Sequence, residues 1–516
     1  MNEGPTTMNF KASKISLFFY SILILSLLSS CGRLVTECGG TPLNVSRLVG
    51  IEKSAFQSTS KAYLLTPNPL DATGNISVQS FDSVLGNVLD TYFLPRLSVS
   101  TRLENSFLKV RINSVGDDAN LLAYPNSNGE FRFDVPDVHY GETMAYHSIS
   151  AIQAYVEELG FQTNKSKPLF VMVRAQGSTS DPSEVNAFYD HNRFNPQALG
   201  RELKLFGETA HAPRQDRDIY WHEFGHYFLE SITLERGIDD SGDRGAIFSE
   251  GAAIHECLAD YGAESLSNRG YIGRWVARNF SEYPAGTPLR SAEKVNDDLN
   301  NYNQVNYFNP SGTNLDRYRL GEWCSRVLWD IRTQIVTENS DEGRFYADRT
   351  IFSAASILAK NSSVTDLKSA LLQADEELNC GIHQRSISQA FQSRGFSSEV
   401  SSLQSPLTIK GSLSWLSEER GSFAFNFVIT NPNPQSARNV RLVLESPDGS
   451  FSPVIPQQSY GDLGPGRTIT VGVQGALPIR YSVKGAVDLS RNYRGTRYLL
   501  KVKSENGQET IIPGAL

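Results

Sequence analysis

Basic runs are missing from this 516-residue chain, whose 48 Lys and Arg against 56 Asp and Glu give a formal charge of −8 at pH 7. Phosphate backbones are gripped by concentrated positive charge, so nucleic acid is excluded as a general partner. Cysteine is sparse, five in all, and no C-x-x-C pair occurs, which removes the usual thiolate metal site. The N-terminal apolar stretch, Ile15 to Leu28, has 14 residues and is too short to cross a bilayer comfortably. Internal repeats are not evident. Histidine is scarce as well, with eight in the chain. A 40% hydrophobic and 20% charged composition at this length suits two or three globular domains.

Lys11 and Lys14 precede the apolar stretch, and Met8 offers a second, more typical basic start. This pattern predicts an export signal over residues 1–30. The stretch ends in "LSSC" (Leu28 to Cys31), which resembles the bacterial lipobox, and that resemblance implies a lipid on Cys31. An ordinary secretory signal with an incidental Cys31 is the alternative, and either one carries the protein out of the cytoplasm. Gly32 gives no inner-membrane retention cue, so the expected location is the outer membrane or cell surface, lipid-anchored. Cys38, Cys257, Cys324 and Cys380 remain for two disulfides with three pairings, or Cys257 is simply a small buried side chain.

Residues 31–136 mix short apolar runs with turn residues and are expected to be a β-rich N-terminal region. From Thr143 the apolar residues Ala145, Ile149, Ile152, Val156 and Leu159 recur in steps of four and three before Gly160, which predicts an amphipathic helix. Pro168–Ala175 reads as a strand, and helical patterns continue to about residue 397. Beyond it the period becomes two, as in Phe423, Phe425 and Phe427 or Tyr498, Leu500 and Val502, so residues 406–516 are expected to form an immunoglobulin-like β-sandwich. A spacing role for this module is the expectation. The central region is taken as 137–405.

"DIYWHEFGHYF" (Asp218 to Phe228) holds two histidines four apart, which on a helix puts His222 and His226 on one face, one turn apart. Glu223 stands beside the first, able to act as general base on an activated water. A helix carrying two satisfied histidines is the plain alternative. Twenty-four residues after His226 begins "EGAAIHECLADYGA" (Glu250 to Ala263), which puts Glu256 thirty residues on. Here the chain resembles the gluzincin metallopeptidases of the thermolysin and fungalysin type, whose third zinc ligand is a glutamate in an E-x-x-[SA]-D segment. Glu256, Ala259 and Asp260 match that segment. The resemblance implies one catalytic Zn²⁺ on His222, His226 and Glu256, with Asp260 orienting a ligand histidine. One helical turn separates the two carboxylates, as those roles need. Glu250 is a rival ligand whose other role is a helix-start carboxylate. His255 points about 100° around the helix from Glu256 and is not expected to be a ligand. No motif for a structural Ca²⁺ is seen.

Upstream, "VNAFYDHNRF" (Val185 to Phe194) is similar to the substrate-edge segment of thermolysin-like enzymes. The likeness implies that Asn186 and Ala187 hold an extended peptide. "LGEWCSRVLWDIR" (Leu320 to Arg332) and "LQADEELNCGIHQRSISQAFQSRGF" (Leu372 to Phe396) resemble later helices of the same families, so the likeness spans about 137–397. One departure stands out. The histidine usually found three or four residues before the glycine matched by Gly321 is replaced by Arg317, Tyr318 and Arg319. Tyr318 is the expected oxyanion donor, with an adjacent arginine, His191 or His383 as other candidates. The chain is thus expected to be an α+β protein with a thermolysin-like core, acting as a zinc endopeptidase on protein or peptide substrates. The alternatives are a weak or inactive pseudo-peptidase serving as a surface binding lipoprotein, and a structural lipoprotein without metal.

Overall fold

In the computed structural model the described residues are 60–515, less internal segments of which the longest are 78–89, 191–200, 234–249, 303–315 and 483–496. Cys31, Cys38, His191 and the whole expected export signal lie outside the described residues. Among those described, no helix is long and apolar enough to cross a membrane.

The chain opens with β1 (Lys61–Leu64), the short helix α1 (Pro69–Thr73), β2 (Asp90–Phe93), β3 (Leu108–Arg111) and β4 (Glu130–Phe131). After helix α2 (Val138–Glu158) come β5 (Leu169–Met172), β6 (Asn186–Asp190) and β7 (Arg201–Phe206). Strands β1, β2 and β4 form one small sheet, and a second has the order β3-β5-β7-β6. In the latter β3, β5 and β7 are parallel and β6 is an antiparallel edge. All four β5 residues, "LFVM", are buried. Coverage of both faces explains why this strand reads as a continuous apolar run without alternation.

The helix α2 begins five residues before the apolar period that forecasts it. Asp137 caps its N-terminus by accepting from the His139 N–H at 2.9 Å. Its first turns bury polar groups, with Glu142 accepting from Ala123 N and Gly141 packed on Arg214, and this hides the periodicity. Further along the helix, His147 packs against Tyr92 with ring centroids 4.2 Å apart and the rings tilted, and its Nδ1 has no hydrogen-bond partner. Burial, with a smaller push from Arg217, holds its pKa down at about 3. The folded protein therefore keeps His147 neutral while the unfolded chain takes up a proton near 6.5. Stability from this group is intact above that pH and declines as pH falls from there toward 3. Between pH 7 and pH 5, urea denaturation of the native chain is expected to lose about 2 kcal/mol more than that of His147→Gln.

Next come helices α3 (Arg217–Ile232) and α4 (Glu250–Ser267), the paired strands β8 (Tyr271–Ile272) and β9 (Arg290–Ser291), and helices α5 (Arg317–Asn339), α6 (Gly343–Ile357), α7 (Val364–Asn379) and α8 (Gln384–Ser393). A single hydrophobic cluster runs from Ala62 to Phe396 and draws on residues from both sides of position 136. The α4 and α5 helices are tied by a Cys257–Cys324 disulfide with a sequence separation of 67. On the chain-entropy view, closing a loop of that length stabilises the fold by about 4 kcal/mol. Cys380 is disulfide-bonded as well.

The C-terminal part is all strand: β10 (Thr408–Ser417), β11 (Ser422–Thr430), β12 (Arg441–Glu445), β13 (Gln457–Ser459), β14 (Thr468–Gly472), β15 (Arg480–Ser482), β16 (Arg497–Lys503) and β17 (Thr510–Ala515). One four-stranded sheet joins β10, β11 and β14, with β15 also on β11; the other has the order β13-β12-β16-β17. Tyr498, Leu500 and Val502 face inward from β16 while their neighbours do not. Together with Phe427, Ile429, Leu442 and Leu444 they form a second core, separate from the first. Arg441 reaches from this part to Asp366 in the first turn of α7, at 3.1 Å. The described chain is therefore of mixed α+β class with several small sheets.

Candidate metal centre

Two glycines set the spacing of the three helices that build the site. A Cβ on Gly225, inside the histidine motif of α3, would lie 2.8 Å from the Ala259 Cα of α4. One on Gly321 of α5 would lie 3.0 Å from the Glu256 Cβ. Contacts that short are overpacked for any side chain. The helices approach closely enough for short side chains to converge because these positions are bare.

On α3, the side chain of Asp216 accepts from Asp218 N at 3.2 Å and caps the helix. Arg269 donates to both Asp218 oxygens and to Asp71 of α1, which pins the start of the helix to the N-terminal segment. One turn in, His222 and His226 point the same way, their Nε2 atoms 3.1 Å apart. From α4 the Glu256 Oε2 stands 3.5 Å from the first and 3.9 Å from the second. These are the residues whose ligand atoms gather within 4.8 Å of one another. Glu250, the rival ligand, is elsewhere: it accepts from Val364 N at the start of α7.

The donor set suits a divalent cation. Tetrahedral bonds of about 2.0–2.1 Å require ligand atoms roughly 3.3 Å apart, close to the observed triangle. The Glu256 Oε2 is buried without a hydrogen-bond partner. His222 Nδ1 lies 2.7 Å from Asp260 Oδ1, and donating there turns the Nε2 lone pair toward the other ligands. Two histidines and one carboxylate are the catalytic zinc set that leaves a position for water.

Electrostatics sharpen these roles. Burial disfavours charge on His222, but Asp260, by charge and hydrogen bond, and then Glu256 outweigh it and raise its pKa to about 9. Burial likewise raises Glu256, yet His222, His226 and Arg317 together hold it well below the carboxylate range. Glu223 behaves differently. Burial lifts it, His222 pulls it back, Glu256 pushes it up again, and the result is about 7. Its Oε2 has no hydrogen-bond partner.

These groups face a cleft of about 1260 Å³. Asn186 and Ala187 line one wall from the edge strand β6, and Ile219, Val276, Phe280 and Leu289 supply apolar surface. Tyr318 stands at the same cleft, 46% exposed. A scan of protein-family models and a search of curated proteins return no match for this chain.

Two further residues bear on the site: Arg290, which carries no signal in the sequence, and His255, which is not expected to be a ligand. Arg290, on the two-residue strand β9, donates Nε to Asp260 Oδ2 at 2.6 Å and Nη2 to Oδ1 at 2.8 Å, and lines the cleft. His255 stacks its ring on His226, with Nδ1 of each 2.6 Å apart. It lies outside the ligand triangle but contacts one of its members. His383 is buried between Asp375 and Asn339, away from the residues that line the cleft; its place as an oxyanion donor is thereby withdrawn.

Proposed function

We propose that the protein is a zinc-dependent endopeptidase with a thermolysin-like core, exported and anchored at the cell envelope or surface through a lipid on Cys31. The C-terminal strands are read as an immunoglobulin-like β-sandwich with a spacing role. The single observation that supports this most is the convergence of His222, His226 and Glu256 beside a buried Glu223 whose Oε2 has no hydrogen-bond partner, in an open cleft. A structural site closes all four positions; this one offers three ligands and a general base.

A bound zinc ion supplies Lewis acidity, polarising a carbonyl and easing deprotonation of water. The chain supplies the rest. Glu223 takes the proton from the attacking water and passes it to the leaving amine, a transfer for which a pKa near 7 is well placed. Asp260 fixes the tautomer of His222, and Arg290 holds Asp260. An extended peptide adds to the outer side of the edge strand β6 near Asn186 and Ala187, its backbone pairing as a further strand. Tyr318 is the proposed donor to the developing oxyanion.

The test is digestion of a broad peptide library by the purified protein after chelation and after return of zinc. One zinc per chain and cleavage that disappears and returns with the metal are expected. A protein that binds zinc stoichiometrically and cleaves nothing would support the second reading, a surface binding protein, which the missing family histidine ahead of Gly321 favours. Absence of bound zinc would sink both.

A further inference from the structure

Resting on the peptidase reading, we propose that Arg317 and Tyr318 act as one unit, in which Arg317 is a positioning residue that fixes and polarises the Tyr318 hydroxyl as oxyanion donor. Both lie in the first turn of α5, whose Asp316 side chain accepts from the backbone N–H of Tyr318 at 3.1 Å and of Arg319 at 3.2 Å. Close packing of Gly321 on Glu256 fixes how near this turn comes to the ligands.

Glu256 divides its two oxygens. Oε2 faces the histidine pair, and Oε1 lies 3.4 Å from Arg317 Nε. The same guanidinium donates Nη2–H to Tyr318 Oη at 2.6 Å. Its Cζ also sits 4.7 Å from the centre of the tyrosine ring, with Arg290 at 5.8 Å. A continuous line therefore runs from ligand carboxylate to guanidinium to phenol, and it ends in the cleft.

Donation from Arg317 occupies a lone pair of the phenol oxygen and leaves the phenolic O–H available. A hydroxyl that accepts from a cation is a stronger donor to the next group, because chained hydrogen bonds polarise one another. That next group is the substrate carbonyl oxygen as it gains negative charge. No proton is transferred: the phenol stays protonated and the guanidinium stays charged. The arrangement does without an imidazole because the charge sits one bond further back.

Four proteins decide the matter: the native chain, Tyr318→Phe, Arg317→Met and the double variant. Each is measured for zinc content, for kcat and KM on a peptide substrate, and for calorimetric affinity toward a phosphinic peptide that mimics the tetrahedral state. Zinc is expected to stay at one per chain. Each single variant should lose about 10²-fold in kcat with KM little changed, and phosphinic peptide affinity should fall in parallel. The double variant should fall no further than the weaker single, since the pair works as a unit. Native cleavage and phosphinic affinity retained in Arg317→Met, or losses that multiply in the double variant, would overturn the proposal alone. Zinc lost from Arg317→Met would reduce that residue to a support for Glu256 and also overturn it. A native protein that neither cleaves nor binds the phosphinic peptide removes the proposal together with the peptidase reading.

Discussion

Glu223→Gln is expected to lower kcat about 10³-fold while leaving one zinc per chain. Glutamine keeps the volume of the side chain and can still accept from the Tyr189 backbone, the hydrogen bond that favours the charged form of Glu223. What it lacks is a basic oxygen. Burial brings Glu223 to about 7, against the lowering effect of His222, so near neutral pH it can both take a proton and give it up. The ligand atoms of His222, His226 and Glu256 are untouched by the change, so metal content should not follow activity. Paired measurements of turnover and zinc stoichiometry check this. A glutamine variant that cleaves at the native rate would remove Glu223 from the chemistry and leave the metal site as scaffold.

The ligand helix was legible because helical geometry is local. Four residues make one turn, so the spacing of His222 to His226, and of Glu256 to Asp260, already states which side chains share a face. The alternation in Tyr498, Leu500 and Val502 was legible for the same reason, since a strand with one buried face writes a period of two. Which strands pair was not. The neighbours of β11 include β14 and β15, and those of β12 include β13 and β16, and such pairings depend on contacts distant in sequence. Arg290 escaped similarly: its partners Asp260 and His222 are 30 and 68 residues away, and a two-residue strand has no pattern. His255 shows a limit of angular reasoning. A separation of about 100° from Glu256 keeps it out of the ligand triangle, yet its ring still meets His226 on the neighbouring helix. Geometry on one helix does not report what another presents to it.

Asp260→Ala should damage both the fold and the metal site without removing a ligand. The carboxylate is fully buried and accepts from Arg290 through Nε and Nη2 and from His222 through Nδ1. Alanine leaves Arg290, whose side chain is only 18% exposed, without its partner. Breaking one side of a buried ion pair costs about 3–5 kcal/mol, which a shifted urea midpoint would register. The same substitution frees His222 to rotate and to take the wrong tautomer, a loss of about 10–100-fold in zinc affinity. Its pH dependence separates the two effects. In the native apoprotein Asp260 helps raise His222 to about 9, so below that pH zinc must displace a proton and its apparent affinity falls as pH falls. Without Asp260 that support is gone while burial still disfavours the charged imidazole, so the competing proton leaves at lower pH. Competition titrations with a chromophoric chelator should therefore find the affinity gap between native and variant widest toward pH 9 and narrower at pH 7. A gap that stayed constant across that range would mean Asp260 supports the fold through Arg290 without governing the protonation of His222.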